Sequence, residues 1–122
     1  MAAGRRTAWR SYTPRIGPAS LLSRRMFRHV VTLTLLPDAP AAARDEIVTA
    51  LRTLPAQVPS IRGYAIGTDA GIDDGNADIV VVADFDDADG YVAYRDDPTH
   101  RQMIRDLILP VLAARSAVQH LR

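Results

Sequence analysis

The run Asp78–Phe85 (Asp-Ile-Val-Val-Val-Ala-Asp-Phe) constrains the fold more than any other stretch of the chain. Three consecutive valines crowd a helix but sit well in an extended backbone, so the run reads as a strand. Its apolar residues fall on both alternating sets of positions, which predicts cover on both faces. Phe27–Leu36 has the same character: Phe27, His29, Val31, Leu33 and Leu35 share one face. Arg28, Val30, Thr32, Thr34 and Leu36 share the other, which is also fairly apolar. Ile61–Thr68 is a third strand with Tyr64 and Ile66 on one face, and Ala113–Leu121 a short fourth. The loop Asp69–Ala77, with Gly71, Gly75 and Asn76, is short enough to join antiparallel neighbours.

Two helical patterns separate these strands. The first is capped by Asp38, carries Pro40 in its first turn and runs to about Gln57, where Pro55 and Pro59 end it. Ala43, Ile47, Ala50, Leu51 and Leu54 form its apolar stripe. The second opens on Asp86, Asp87 and Asp89, acids that suit the positive end of a helix dipole. Asp97-Pro98 interrupts it, because the residue before proline avoids the helical region. It resumes with a stripe of Met103, Ile104, Leu107, Ile108, Val111 and Leu112, which Pro110 should kink. The order β-α-β-β-α-β predicts an α+β fold of ferredoxin-like type: a four-stranded antiparallel sheet with two helices on one face. The opposite sheet face, bearing Val30, Thr32 and alternate valines of 78–85, then needs a cover of its own. A second copy of the chain supplies it, so the expected partner is the chain itself, a homodimer through the open sheet face.

Composition narrows the chemistry. At 122 residues the chain suits one domain. It has no cysteine, which excludes disulfides, thiolate nucleophiles and cysteine metal sites. It has no lysine either, so a lysine Schiff base is excluded. Residues 1–25 hold six arginines and no acid, whereas 26–122 holds nine arginines against fourteen acids, 9 − 14 = −5. An acidic domain is a poor nucleic-acid binder. No apolar run reaches the length of a membrane span, and a cytoplasmic protein is expected. Residues 1–25 show no apolar period and read as a disordered basic arm ahead of a domain at 26–122. Met26 as the true start, or Ser23-Arg24-Arg25-Met26-Phe27 as a twin-arginine export signal, are the other readings of that segment. Export would cost the chain its first strand.

Chemistry-bearing residues cluster at Tyr91–His100. Tyr91 and Tyr94 lie three apart on one side of a helix, and His100 begins the segment after Pro98. His100 has the proton affinity of a general base for abstraction beside a carbonyl, and Tyr94 can donate to the resulting oxyanion. His29 approaches the same gap from the first strand, and with Tyr91 is expected to contact substrate. The bland alternatives are a core histidine at 29, a core tyrosine at 94 and a solvated helix-start residue at 100. His120 reads as surface. The histidines are too scattered to mark a metal site, Asp69, Asp73 and Asp74 lack calcium-loop spacing, and no cofactor fingerprint is present; neither metal nor cofactor is expected.

Several stretches together resemble one family. Met26-Phe27-Arg28-His29-Val30-Val31, Leu54-Pro55…Val58-Pro59-Ser60-Ile61, Asp84-Phe85-Asp86 and Tyr94…Asp97-Pro98-Thr99-His100 are similar in order and spacing to the Dabb family of stress-responsive dimeric α/β-barrel domains. The resemblance covers 26–122. It implies a homodimer whose two sheets build a barrel around small-molecule pockets. One plant member closes a polyketide thioester by aldol condensation without a cofactor. By that likeness His100 matches the base, Tyr94 the supporting hydroxyl and His29 a pocket position, while Asp78 and Asp97 stand where that member has further histidines. The implied function is cofactor-free acid–base chemistry of cyclase or lyase type on a polyketide-like or β-keto substrate. The alternative is a non-enzymatic homodimer that binds a small apolar ligand or serves structurally in a stress response.

Overall fold

The computed structural model describes residues 25–122. The expected basic arm lies outside the described residues except for Arg25. Ten elements and turns follow in order among the described residues. Strand β1 is Phe27–Leu35; helices α1 and α2 are Ala43–Leu51 and Leu54–Gln57; strands β2 and β3 are Ile61–Thr68 and Ile79–Phe85. Helices α3 and α4 are Ala88–Arg95 and Pro98–Met103, and β4 is Leu112–Leu121. The sheet order is β2-β3-β1-β4, with every neighbouring pair antiparallel. The β-α-β-β-α-β topology is therefore present, with the strongest two strands, β1 and β3, at its centre.

One sheet face carries the core. Val31 and Leu33 of β1 meet Ile79, Val81, Ala83 and Phe85 of β3, and Ile47, Val48, Leu51, Leu54, Tyr94 and Ile108 of the helical layer close over them. Phe85, Ala83 and Leu54 are 0% exposed, so the apolar alternation of β3 points inward along its whole length. The opposite face is open. Val80 and Val118 remain 37% and 56% exposed, and Arg28 lies directly across from Asp84 in a bidentate pair at 2.8 and 2.9 Å. Among the described residues, cover is thus provided on only one face of β3.

Several helix boundaries differ from expectation for local reasons. Asp38 is not a cap: Pro37–Pro40 forms a turn, closed by the Ala39 amide on the Leu36 carbonyl, and α1 starts after Ala42. Pro55 does not end the first helix. It occupies the first turn of α2, where a missing N–H costs nothing. After α4 the chain widens into a π turn over Ile104–Ile108 and tightens into a 3₁₀ turn over Leu109–Val111, which accommodates Pro110. The π turn breaks the 3.6-residue period. Leu107 consequently leaves the expected stripe and is 36% exposed, while Ile108 stays buried. Strand β4 begins one residue early, at Leu112, and from Ala113 onward it is exposed because the helical layer does not reach across it.

Among the described residues no helix is long and apolar enough to cross a membrane. The apolar run that follows Arg24-Arg25 is the central strand β1.

Candidate functional site

The gap between α3 and α4 has a direct cause in the sequence. Asp97 leaves the helical region ahead of Pro98, and its carboxylate accepts hydrogen bonds from the Thr99 and His100 amides at 2.9 and 3.1 Å. Asp97 is therefore the cap that restarts the helix and fixes where His100 emerges. Asp78, the other expected departure, is structural as well: its Oδ2 accepts from the Leu35 amide at 2.7 Å at the end of β1. Upstream, Asp87 caps α3 through the Gly90 amide at 2.9 Å. Glycine at 90 lets α3 lie close on the sheet, since a Cβ there would stand 3.2 Å from that of Phe85.

That close approach aims Tyr91 and Tyr94 at the sheet. Tyr94 is 3% exposed, its ring 5.3 Å from Phe85 and 4.2 Å from the His100 imidazole. Tyr91 packs 4.8 Å from His29, itself 4% exposed. His29, Tyr91, Tyr94 and His100 all line one cavity of about 150 Å³ between the sheet and the helical layer. Its remaining wall is mainly aliphatic, including Leu33, Ile104 and Ile108. A void of this size accommodates a molecule the size of benzene. His120 lies outside it, exposed at the end of β4.

Hydrogen bonds set the two cavity imidazoles in opposite states. The Nδ1 of His29 faces the Gln119 side-chain nitrogen at 2.8 Å, an N–H donor. Nδ1 of His29 therefore accepts, and its ring hydrogen sits on Nε2. The Nδ1 of His100 faces the Arg95 carbonyl oxygen at 3.3 Å. A carbonyl only accepts, so that nitrogen carries the hydrogen and Nε2 of His100 keeps a free lone pair. Burial, with the charge of Arg115 and the neighbouring His100 behind it, holds His29 down to about 4. Burial also lowers His100, partly offset by the Arg95 carbonyl and Asp97. Both rings are neutral at pH 7.

The Tyr94 hydroxyl lies 3.2 Å from that of Tyr64 on β2. Burial raises both phenols above the ordinary tyrosine range, so neither ionises near neutrality. Tyr64 and Gln119 were not legible as site residues. Each reaches the site through strand pairing, Gln119 by its position opposite His29 across β1 and β4, and Tyr64 by its place on β2 beneath α3. No group of histidines and acids among the described residues is placed to hold a metal ion.

Comparison with known proteins agrees with this architecture. The sequence profile of the stress responsive A/B barrel domain matches residues 27–119. No curated protein matches. A dimeric ferredoxin-like protein of unknown function from Thermobifida fusca is 39% identical, with a TM-score of 0.73 over 80% of this chain and 92% of that one. A Dabb family protein from Mesorhizobium loti is 16% identical, with a TM-score of 0.68 over 81% and 98%. The hydroxynitrile lyase of Passiflora edulis is 15% identical, with a TM-score of 0.69 over 80% and 93%; at that identity the likeness is one of fold. The match across nearly all of the described domain, together with the sheet order, means that the chain belongs to the stress responsive A/B barrel (Dabb) domain family.

Proposed function

We propose that the cavity binds a small, largely apolar carbonyl compound and enolises it without a cofactor, His100 acting as the base. The observation that carries this reading is the pair of neutral imidazoles in opposite tautomers, one with its lone pair and the other with its N–H on Nε2, both rings lining the same apolar cavity. Nε2 of His100 removes the proton α to the carbonyl. The C–H electron pair moves into the carbonyl group, leaving the negative charge on oxygen. Nε2–H of His29 and the Tyr94 hydroxyl donate to that oxygen, Tyr64 donating in turn to Tyr94 so that the Tyr94 hydrogen is free for the substrate. Tyr91 packs on His29 and walls the substrate in. In a low-dielectric cavity these donors count for more than in water. The enolate then regains the proton from His100, or its α-carbon attacks a second carbonyl of a polyketide-like or β-keto substrate, closing a ring as that carbonyl's π pair becomes an alkoxide that takes the proton from His100. The Passiflora hydroxynitrile lyase shows only that this fold accommodates lyase chemistry.

The working unit is a homodimer joined through the open sheet face. The apolar strip at Val80 and Val118 supports this, as does the dimeric state of the Thermobifida protein. The proposed location is the cytoplasm, a reading supported by the use of the apolar run after the paired arginines as a central strand.

Proton NMR in deuterated buffer tests the chemistry by following exchange of the α-hydrogens of a small ketone. The full chain should accelerate exchange over buffer. His100→Ala should lose about a hundredfold or more, the usual share of a general base, and Tyr94→Phe about tenfold. Both variants should melt within a few degrees of the parent. Exchange no faster than in buffer would favour the non-enzymatic binding domain instead.

A further inference from the structure

The cavity carries a charge that this acid–base scheme leaves unused. Two arginines line it, Arg95 and Arg115, and no carboxylate does. Arg95 is already neutralised by Asp96, its Nε 2.9 Å from the carboxylate. Arg115 forms no ion pair among the described residues. It stands on β4 directly opposite Leu33, hence on the sheet face that holds His29, four residues along the strand from Gln119. Its charge is felt inside the cavity, where it disfavours imidazolium at His29 and favours phenolate at Tyr94. The cavity is thus an apolar chamber with one uncompensated guanidinium at its edge. A planar guanidinium fork matches a carboxylate in two parallel hydrogen bonds.

We infer that Arg115 determines specificity: the site takes small keto acids, with the carboxylate on Arg115 and the enolisable carbonyl beside His100 and Tyr94. The carbonyl half of this statement rests on the proposed acid–base function, and the carboxylate half does not.

Two matched pairs of probes separate the halves. The first pair is 4-oxopentanoate and 5-methylhexan-2-one, which differ by a carboxylate against an isopropyl group, with α-hydrogen exchange followed by proton NMR. The acid should show a KM about tenfold below that of the neutral ketone, the scale of one charge-assisted contact. Arg115→Gln should bring the two KM values together, and Arg115→Lys should restore part of the difference. The second pair is 4-methylpentanoate and 4-methylpentanamide, which react with nothing here, with binding measured by calorimetry. The parent should prefer the acid and Arg115→Gln should not. Equal binding of the pair, or a preference that survives in Arg115→Gln, overturns the inference. An Arg115-dependent preference without exchange of any ketone sustains the carboxylate site and removes the acid–base reading. His100-dependent exchange without an acid preference does the reverse.

Discussion

His29 shows how one buried residue couples the site to stability. It takes up a proton only near pH 4 in the fold, against about 6.5 in the unfolded chain. Between these values the unfolded chain binds more protons, so the fold loses stability as pH falls from about 6.5 toward 4. Above about 6.5 the residue contributes no slope. One unit corresponds to about 1.4 kcal/mol, so the loss is on the order of 3 kcal/mol, and the lowered His100 adds to it with the same sign. Denaturant unfolding between pH 7.5 and 4.5 should show this decline in the parent. His29→Phe keeps the contact with Tyr91 but removes the titrating group, and its decline should be shallower than the parent's. An unchanged slope would place the titration elsewhere.

Among the elements, the strands were the most legible because each was patterned by its own residues. The residue pattern predicts β2 at its observed bounds, and β1 and β3 to within a residue at one end. Helix ends were less legible, and the reason is positional. Pro55 is compatible both with stopping one helix and with starting another, and only the break after Leu51 decides between them. The π turn at Ile104–Ile108 has no signature in composition, so the helical period places Leu107 in the buried stripe, which it leaves in the fold. The interruption at Asp97-Pro98 was legible because proline acts on the residue before it, and the gathering of His29, Tyr91, Tyr94 and His100 around that break follows from it. What the sequence could not disclose is everything set by register. Gln119 opposite His29, Tyr64 against Tyr94 and Arg115 opposite Leu33 are far apart in sequence, and no local pattern links them.

At the scale of the molecule, the open sheet face is the unfinished part of the fold. Val30, Val82 and Val118 pair across three strands on that side, and a face of this kind on a lone domain invites aggregation. In the proposed homodimer a second copy covers it, a reading that the dimeric state of the Thermobifida protein supports. Sedimentation at micromolar concentration should give about twice the 13.3 kDa of the chain. Val118→Arg places a charge in the middle of the strip, two rungs along β4 from Ser116 and opposite Val30, and should shift the equilibrium toward monomer. A monomeric parent would require another cover for that face.

The paired tautomers underlie the proposed chemistry, and they can be observed without any substrate. Long-range proton–nitrogen correlation spectra of the histidine rings, recorded from pH 8 to pH 4, report which nitrogen carries the hydrogen. His100 should appear as the neutral Nδ1–H form and His29 as the neutral Nε2–H form at pH 7, with both titrating below about 6.5 and His29 last, near 4. The same tautomer at both residues, or an imidazolium at either one at pH 7, would contradict the assignment of base and donor.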